Sequence, residues 1–196
     1  MNATPLMEIL AIIPARANSK RVKSKNHKIL NGKPLIEYTI DSAKGARSIT
    51  DILITTDDEI IYNLAKYHNV LANRRPKKLC EDDTSSQAVI DYIIKKYNKY
   101  DYYVLLQPTS PFRTSKHIDD CINVFLSGHF DSLLSVKELV PNTYYPNGAV
   151  YVFKAKIKTK NMGMVLMSED ESIDIDTLFD FKLAEVLMNE DIRNEF

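Results

Sequence analysis

Apolar and polar positions follow two rhythms along this chain. Near-continuous runs rich in Ile, Val and Leu occupy Glu8–Ala15, Asp51–Thr55, Tyr102–Leu106, Ser132–Val136 and Ala149–Phe153, with a weaker run near Val70. Runs of this length and composition predict strands buried on both faces. Between them, Pro34–Ala46, Glu59–Tyr67, Ser85–Tyr97 and Ser115–Leu126 carry apolar residues at helical spacing. Leu35, Ile36, Ile40 and Ala43 mark one stripe; Val89, Ile90, Ile93, Ile94 and Tyr97 mark another. Pro34 suits a first-turn position, and Thr177–Met188 reads as a final helix. Residues 137–148 read as a Pro/Asn-rich connection, and 154–164 as a basic, solvated hairpin or loop. Strand–helix alternation predicts an α/β fold of right-handed βαβ units with a mostly parallel central sheet. The 196 residues read as one domain, 1–196. Ligands of such sheets bind beyond the carboxyl ends of the strands, so the loops that follow strands are where chemistry is expected.

Charge narrows the partners. The chain has 26 basic and 26 acidic side chains and a net charge of zero. A nucleic-acid binder is usually basic overall, so none is expected as a partner. The positive charge is local: Arg16, Lys20, Arg21, Lys23 and Lys25 follow the first strand, and no acid falls between Glu8 and Glu37. That suits a small polyanion. Cys80 and Cys121 lie far apart with no metal-ligand spacing, so neither a disulfide framework nor a zinc site is expected, and a cytoplasmic location follows. The first residues lack the features of a signal peptide or a membrane span, so no membrane is expected.

Five constellations carry candidate chemistry. The loop from Pro14 to Asn26 offers backbone N–H groups and cations to a polyphosphate, although it is neither GxxxxGK[ST] nor GxGxxG. In Ser172-Ile173-Asp174-Ile175-Asp176-Thr177, strand alternation puts Asp174 and Asp176 on one face, a pair suited to Mg²⁺ with phosphate oxygens and water. Asp176 or Thr177 also suits the N-cap of the last helix, with Asp180 near its first turn. Gln107 follows a strand and opens a loop stiffened by Pro108 and Pro111, with Thr114 or Ser115 capping the next helix. Arg75-Pro76 and Asp82–Ser86 combine a cation with hydroxyls that either cap a helix or read a base edge. Pro146-Asn147-Gly148 is a turn signal before the last predicted strand.

In this order, the elements resemble the acylneuraminate cytidylyltransferase family, the CMP-sialic acid synthetases and their relatives for other nonulosonic acids. The matching stretches are Pro14-Ala15-Arg16, Ser19-Lys20 and Lys25-Asn26; Gly32–Ile40; Thr55–Asp58; Arg75–Ser86; Leu105–Arg113; Pro146–Tyr151; and Ser172–Glu185. The resemblance implies a Rossmann-like three-layer nucleotidyltransferase fold. It implies CTP and a sugar acid as substrates, with CMP-sugar and pyrophosphate as products. It places Ala15, Arg16, Lys25, Asn26, Arg75, Thr84 and Ser86 at the nucleotide, and Gln107 and Asn147 at the sugar acid. Arg16 and Lys25 are the implied catalytic cations, and Asp174 and Asp176 the implied catalytic carboxylates holding Mg²⁺. Arg21 and Lys23 fall off the motif and read as solvated charge.

Two departures stand out. Ala17-Asn18 occupies the place of a frequent Gly-Gly, where Asn18 tolerates a left-handed turn. Relatives usually carry several tens of residues between the strand of Ser135-Val136 and Pro146, a segment that forms the dimer and brings cations to the sugar carboxylate. Its shortening leaves a homodimer open and points to Arg113, Lys137 or Lys20 for that carboxylate. A transferase for another acceptor and a non-catalytic CTP-binding protein are the competing readings.

Overall fold

The computed structural model describes residues 7–17, 19, 21–81, 83–155 and 161–189. The chain runs through β1 (Ile9–Pro14), β2 (Ile29–Leu30), β3 (Lys33–Pro34), α1 (Leu35–Gly45), β4 (Asp51–Thr56), α2 (Glu59–Tyr67), β5 (Leu71–Arg74), α3 (Ser86–Lys96), β6 (Tyr102–Leu105), α4 (Ser115–Ser127), β7 (Ser132–Val140), β8 (Thr143–Lys154), β9 (Met162–Leu166) and α5 (Leu178–Leu187). Seven strands form one sheet in the order β5-β4-β1-β6-β8-β7-β9, and β2 pairs with β3 as a separate hairpin. β8 is antiparallel to both neighbours, and every other pairing in the sheet is parallel. The result is a three-layer, Rossmann-like α/β fold.

The apolar runs explain the layers. In β1, Ile9, Ala11 and Ile13 join a core with Ile36 and Ile40 of α1, Ile61 of α2 and Ile118 of α4. Leu10 and Ile12 point the other way, onto Ile90 and Ile93 of α3. Both faces of the strand are covered, as its unbroken hydrophobicity requires. A third cluster joins Leu30 and Leu35 to Ile175, Phe181 and Ala184, so α5 is docked beside the loop that follows β1.

Strand order reverses at β1: β4 and β5 lie to one side, β6 to the other. Loops leaving β1 and β6 therefore part company at their carboxyl ends and open a crevice between them.

Three expectations need correction. Residues 137–148 are not a loose connection. β7 and β8 run on as a paired arm that turns at Pro141-Asn142, where Asn142 has φ +65°. The prolines do not break it because Pro141 sits in the turn and Pro146 lies in a stretch where the register shifts, positions that tolerate a missing donor. Within 154–164, Met162 begins strand β9, parallel to β7; residues 156–160 lie outside the described residues. Pro34 ends β3 and precedes α1 rather than opening it.

Candidate active site

A cleft of about 470 Å³ lies beyond β1 and β6 and is lined by Arg16, Arg21, Lys25, Asn26, Arg75, Thr84, Ser86, Gln107 and Asp176. Leu79, Val89 and Ile90 give it an apolar wall.

The β1 loop is braced at several points. The Ala17 N–H donates to Asp57 Oδ1 at 2.8 Å, tying it to the end of β4. Asn26, almost wholly buried, donates from Nδ2 to the Arg16 carbonyl at 3.0 Å. Ser24 takes a left-handed φ of +56° and starts a 3₁₀ turn over Lys25–His27. His27 Nδ1 lies 3.1 Å from Asp58 Oδ2, and Asp58 also caps α2. From this turn Lys25 Nζ donates to the Ile175 carbonyl at 2.6 Å and lies 3.4 Å from Asp176. Arg21, expected to be solvated, lines the cleft and meets Asp176 at 3.0 Å. Ala15 stays out of the lining: its methyl is in the core and its N–H goes to the Thr55 carbonyl. Asn18 and Lys20 lie outside the described residues.

The acidic segment is held from behind. Ile175 is fully buried and its N–H donates to the Thr109 carbonyl at 2.8 Å. Thr177 is the N-cap of α5 in a capping box with Asp180, which leaves the Asp176 carboxylate to face the basic loop. Asp174 is exposed and, unlike Asp176, lines neither the cleft nor the second cavity beside Gln107, yet enough protein surrounds it to hold its carboxyl above the usual range. Desolvation is the main cause and Asp176 pushes the same way, while Thr109 and Lys25 oppose the rise. The Thr109 hydroxyl, although near, is buried and makes no hydrogen bond of ordinary geometry.

Among the described residues, no group of three His, Cys, Asp or Glu side chains is placed to hold a metal ion by itself. The two neighbouring carboxylates of Asp174 and Asp176, with the proton affinity of Asp174 raised, form a donor set that fits Mg²⁺ completed by phosphate and water, not an all-protein cage.

At the opposite wall, the Arg75 guanidinium is buried, gives Nη2 to the Thr55 carbonyl at 2.8 Å, and leaves Nε without a partner. Burial pushes its pKa down. Ser85 caps α3, so Thr84 and Ser86 keep their place in the lining without that duty. Asp82 lies outside the described residues.

Gln107 lines this cleft and also a second cavity of about 530 Å³, which includes Leu133, Tyr151 and Lys154. A Cβ on Gly148, whose φ is +78°, would sit 3.2 Å from Gln107 Oε1 and 3.9 Å from Asp174 Oδ2. The glycine lets β8 pass close to both the Gln107 and the Asp174 side chains. The sequence shows Gly148 as part of a turn signal and of the matching stretch Pro146–Tyr151; its positive φ beside Gln107 and Asp174 has no signal in a single sequence.

Asn147 is corrected. It is 4% exposed, accepts from Ser135 Oγ at 2.6 Å and donates to Ser172 Oγ at 2.9 Å. It pins β8 to the segment that carries Asp174 and lines neither cavity. Arg113 is also corrected: it is buried, and its guanidinium is spent on internal acceptors. Lys137 pairs in register with Tyr145 on the β7–β8 arm and lines neither cavity.

Comparison with known proteins adds an independent line. A family model described as Cytidylyltransferase matches residues 10–183. The N-acylneuraminate cytidylyltransferase of Escherichia coli O18:K1:H7 is 30% identical over 90% of this chain and 51% of its own length. This chain thus spans about half the length of that relative. The CMP-N,N'-diacetyllegionaminic acid synthase of Legionella pneumophila is 32% identical over 93% of this chain and 97% of its own, in an alignment of 224 residues. The solved structure of CMP:2-keto-3-deoxy-manno-octonic acid synthetase complexed with CTP covers 94% of this chain and 99% of its own, with a TM-score of 0.78 at 13% identity, a likeness of fold.

Proposed function

The chain belongs to the cytidylyltransferase family, and on that premise we propose that it transfers CMP from CTP to the anomeric hydroxyl of a nonulosonic acid, releasing pyrophosphate. The observation that carries the reading is convergence: Lys25, Asp176 and Gln107 line one cleft, and Gln107 opens onto a second cavity. The triphosphate lies along Arg16 and Lys25. The cytosine takes the end walled by Leu79, Val89 and Ile90, with Arg75, Thr84 and Ser86 around it. The sugar acid occupies the second cavity, so Gln107 stands at the boundary where the new bond forms.

In the reaction, the anomeric oxygen attacks the α-phosphorus, the bond to the β-phosphate oxygen breaks, and the hydroxyl proton leaves to solvent. No covalent intermediate is required, so the residues act by positioning and by neutralising charge. Lys25 and Arg16 stabilise the departing pyrophosphate. Asp174 and Asp176 would hold Mg²⁺, which supplies charge neutralisation at the phosphates. Asp176, released from Arg21 and Lys25 as these turn to phosphate, is the partner that changes most on binding.

Incubating the protein with CTP, Mg²⁺ and a panel of sialic, legionaminic and pseudaminic acids is expected to yield a CMP-sugar by mass spectrometry. CTP binding with no product from any acid would favour a binding protein, and product only with an unrelated hydroxyl acceptor would reassign the substrate.

A further inference from the structure

Arg113 is 2% exposed and, among the described residues, no carboxylate lies within ion-pair distance of it. Its Nη1 donates to the Gln107 and Ala149 carbonyls, each at 3.0 Å. Nη2 donates to Thr39 Oγ1 and Nε to Ser42 Oγ, both on α1. All its partners are neutral, and burial pushes its pKa down to about 9. A buried cation without an anion is costly and persists only where its geometry is needed.

The partners say what that geometry is. Gln107 lines both cavities. Ala149 follows Gly148, where an added Cβ would lie 3.2 Å from Gln107 Oε1 and 3.9 Å from Asp174 Oδ2, so both side chains close in on this glycine. The fork of Nη1 thus fixes the separation of the two backbone segments on which that approach depends, and α1 anchors the fork from behind. We propose that Arg113 is a positioning residue, which acts through Gln107 and Gly148 to set the acceptor side of the site without touching substrate. The kinetic half of this inference rests on the transferase reading above; the geometric half does not.

The test compares the full wild-type chain with Arg113→Lys, which keeps the charge but cannot fork, and Ser42→Ala, which removes one anchor on α1. In Arg113→Lys, kcat is expected to fall about tenfold and KM for the acid to rise about tenfold, with the Kd of CTP within about twofold. Ser42→Ala is expected to raise KM for the acid about threefold with the same CTP Kd, which keeps the inference testable should Arg113→Lys not fold. In ¹⁵N NMR spectra, both variants should shift the Gly148 backbone amide and the Gln107 side-chain amide. A wild-type chain silent with every acid overturns the transferase reading, and the NMR shifts then decide on Arg113 alone. Folded variants with wild-type KM and unmoved Gly148 and Gln107 signals overturn the inference.

Discussion

The two walls of the site are built on different principles. The nucleotide wall is made of loops that leave β1 and β5, and it presents its cations to the cleft: Arg16, Lys25 and Arg21 line it directly. The acceptor wall is made of β8, the loop after β6 and the acidic segment, and its polar residues mostly face inward. Asn147, Arg113, Ser135 and Ser172 are buried and hydrogen-bonded to one another's segments. Beyond them the β7–β8 arm and β9 leave Leu139, Tyr145, Met162, Met164 and Leu166 exposed. One wall turns toward the cleft the residues that its sequence advertises. The other uses similar residues as framework and leaves few side chains for the ligand.

The sharpest way to break this contrast is Asp174→Asn, at the seam of the two walls. Turnover is expected to fall at least about a thousandfold in a pyrophosphate-release assay. Stability moves the other way. Because the folded-state pKa is raised, the stabilising contribution of Asp174 is present below the unfolded carboxyl value and is lost as pH rises through the folded one. At pH 7 the carboxylate is therefore a cost, and Asp174→Asn should melt higher than wild type at pH 7 while losing that advantage near pH 3. An unchanged turnover, or a lower Tm at pH 7, would remove Asp174 from its assigned place.

Lys25→Ala probes the nucleotide wall alone. Calorimetry with CTP and steady-state assays should give a turnover lower by about a hundredfold and weaker CTP binding, with KM for the acid little changed. Gln107→Ala probes the shared residue: KM for the acid should rise about tenfold while the Kd of CTP stays within about twofold. Equal losses on both substrates would merge the two walls into one. Asn147→Ala should act as framework, lowering unfolding free energy in urea by about 2 kcal/mol, since the Ser172 hydroxyl and the Ala149 N–H lose a buried partner and Ser135 loses one of several. The smallest effect is expected on the arm, where Tyr145→Ser, at an exposed position, should change stability by under about 0.5 kcal/mol and leave CTP affinity alone.

Much of this was legible in the sequence, for physical reasons that differ by region. The β1 run could be read because both its faces are covered, which demands unbroken apolar residues. The basic loop could be read because cations in a neutral chain are conspicuous. The caps of α4 and α5 could be narrowed to Thr114 or Ser115 and to Asp176 or Thr177, since short polar side chains before an apolar stripe have few other uses, and the structure selects Thr114 and Thr177. The β7–β8 arm was hidden because Pro141 and Pro146 look like breakers when the turn and the register shift that accommodate them are unknown. β9 was hidden by the basic residues before it. Asn147 and Arg113 were misplaced for one shared reason: a buried polar side chain that organises the site and an exposed one that touches a ligand have the same letter, and only the hydrogen-bond partners separate them. The role of Gly148 was invisible because close approach is a property of three dimensions.

The central claim is a transfer of CMP that requires both walls at once. A single ³¹P NMR time course on the protein with CTP, Mg²⁺ and the acid panel tests it most directly. The account predicts that the three CTP resonances give way to a phosphodiester signal and pyrophosphate in equal amounts, only when an acid is present. CTP resonances that persist with every acid, in a sample where calorimetry shows the nucleotide bound, would contradict it.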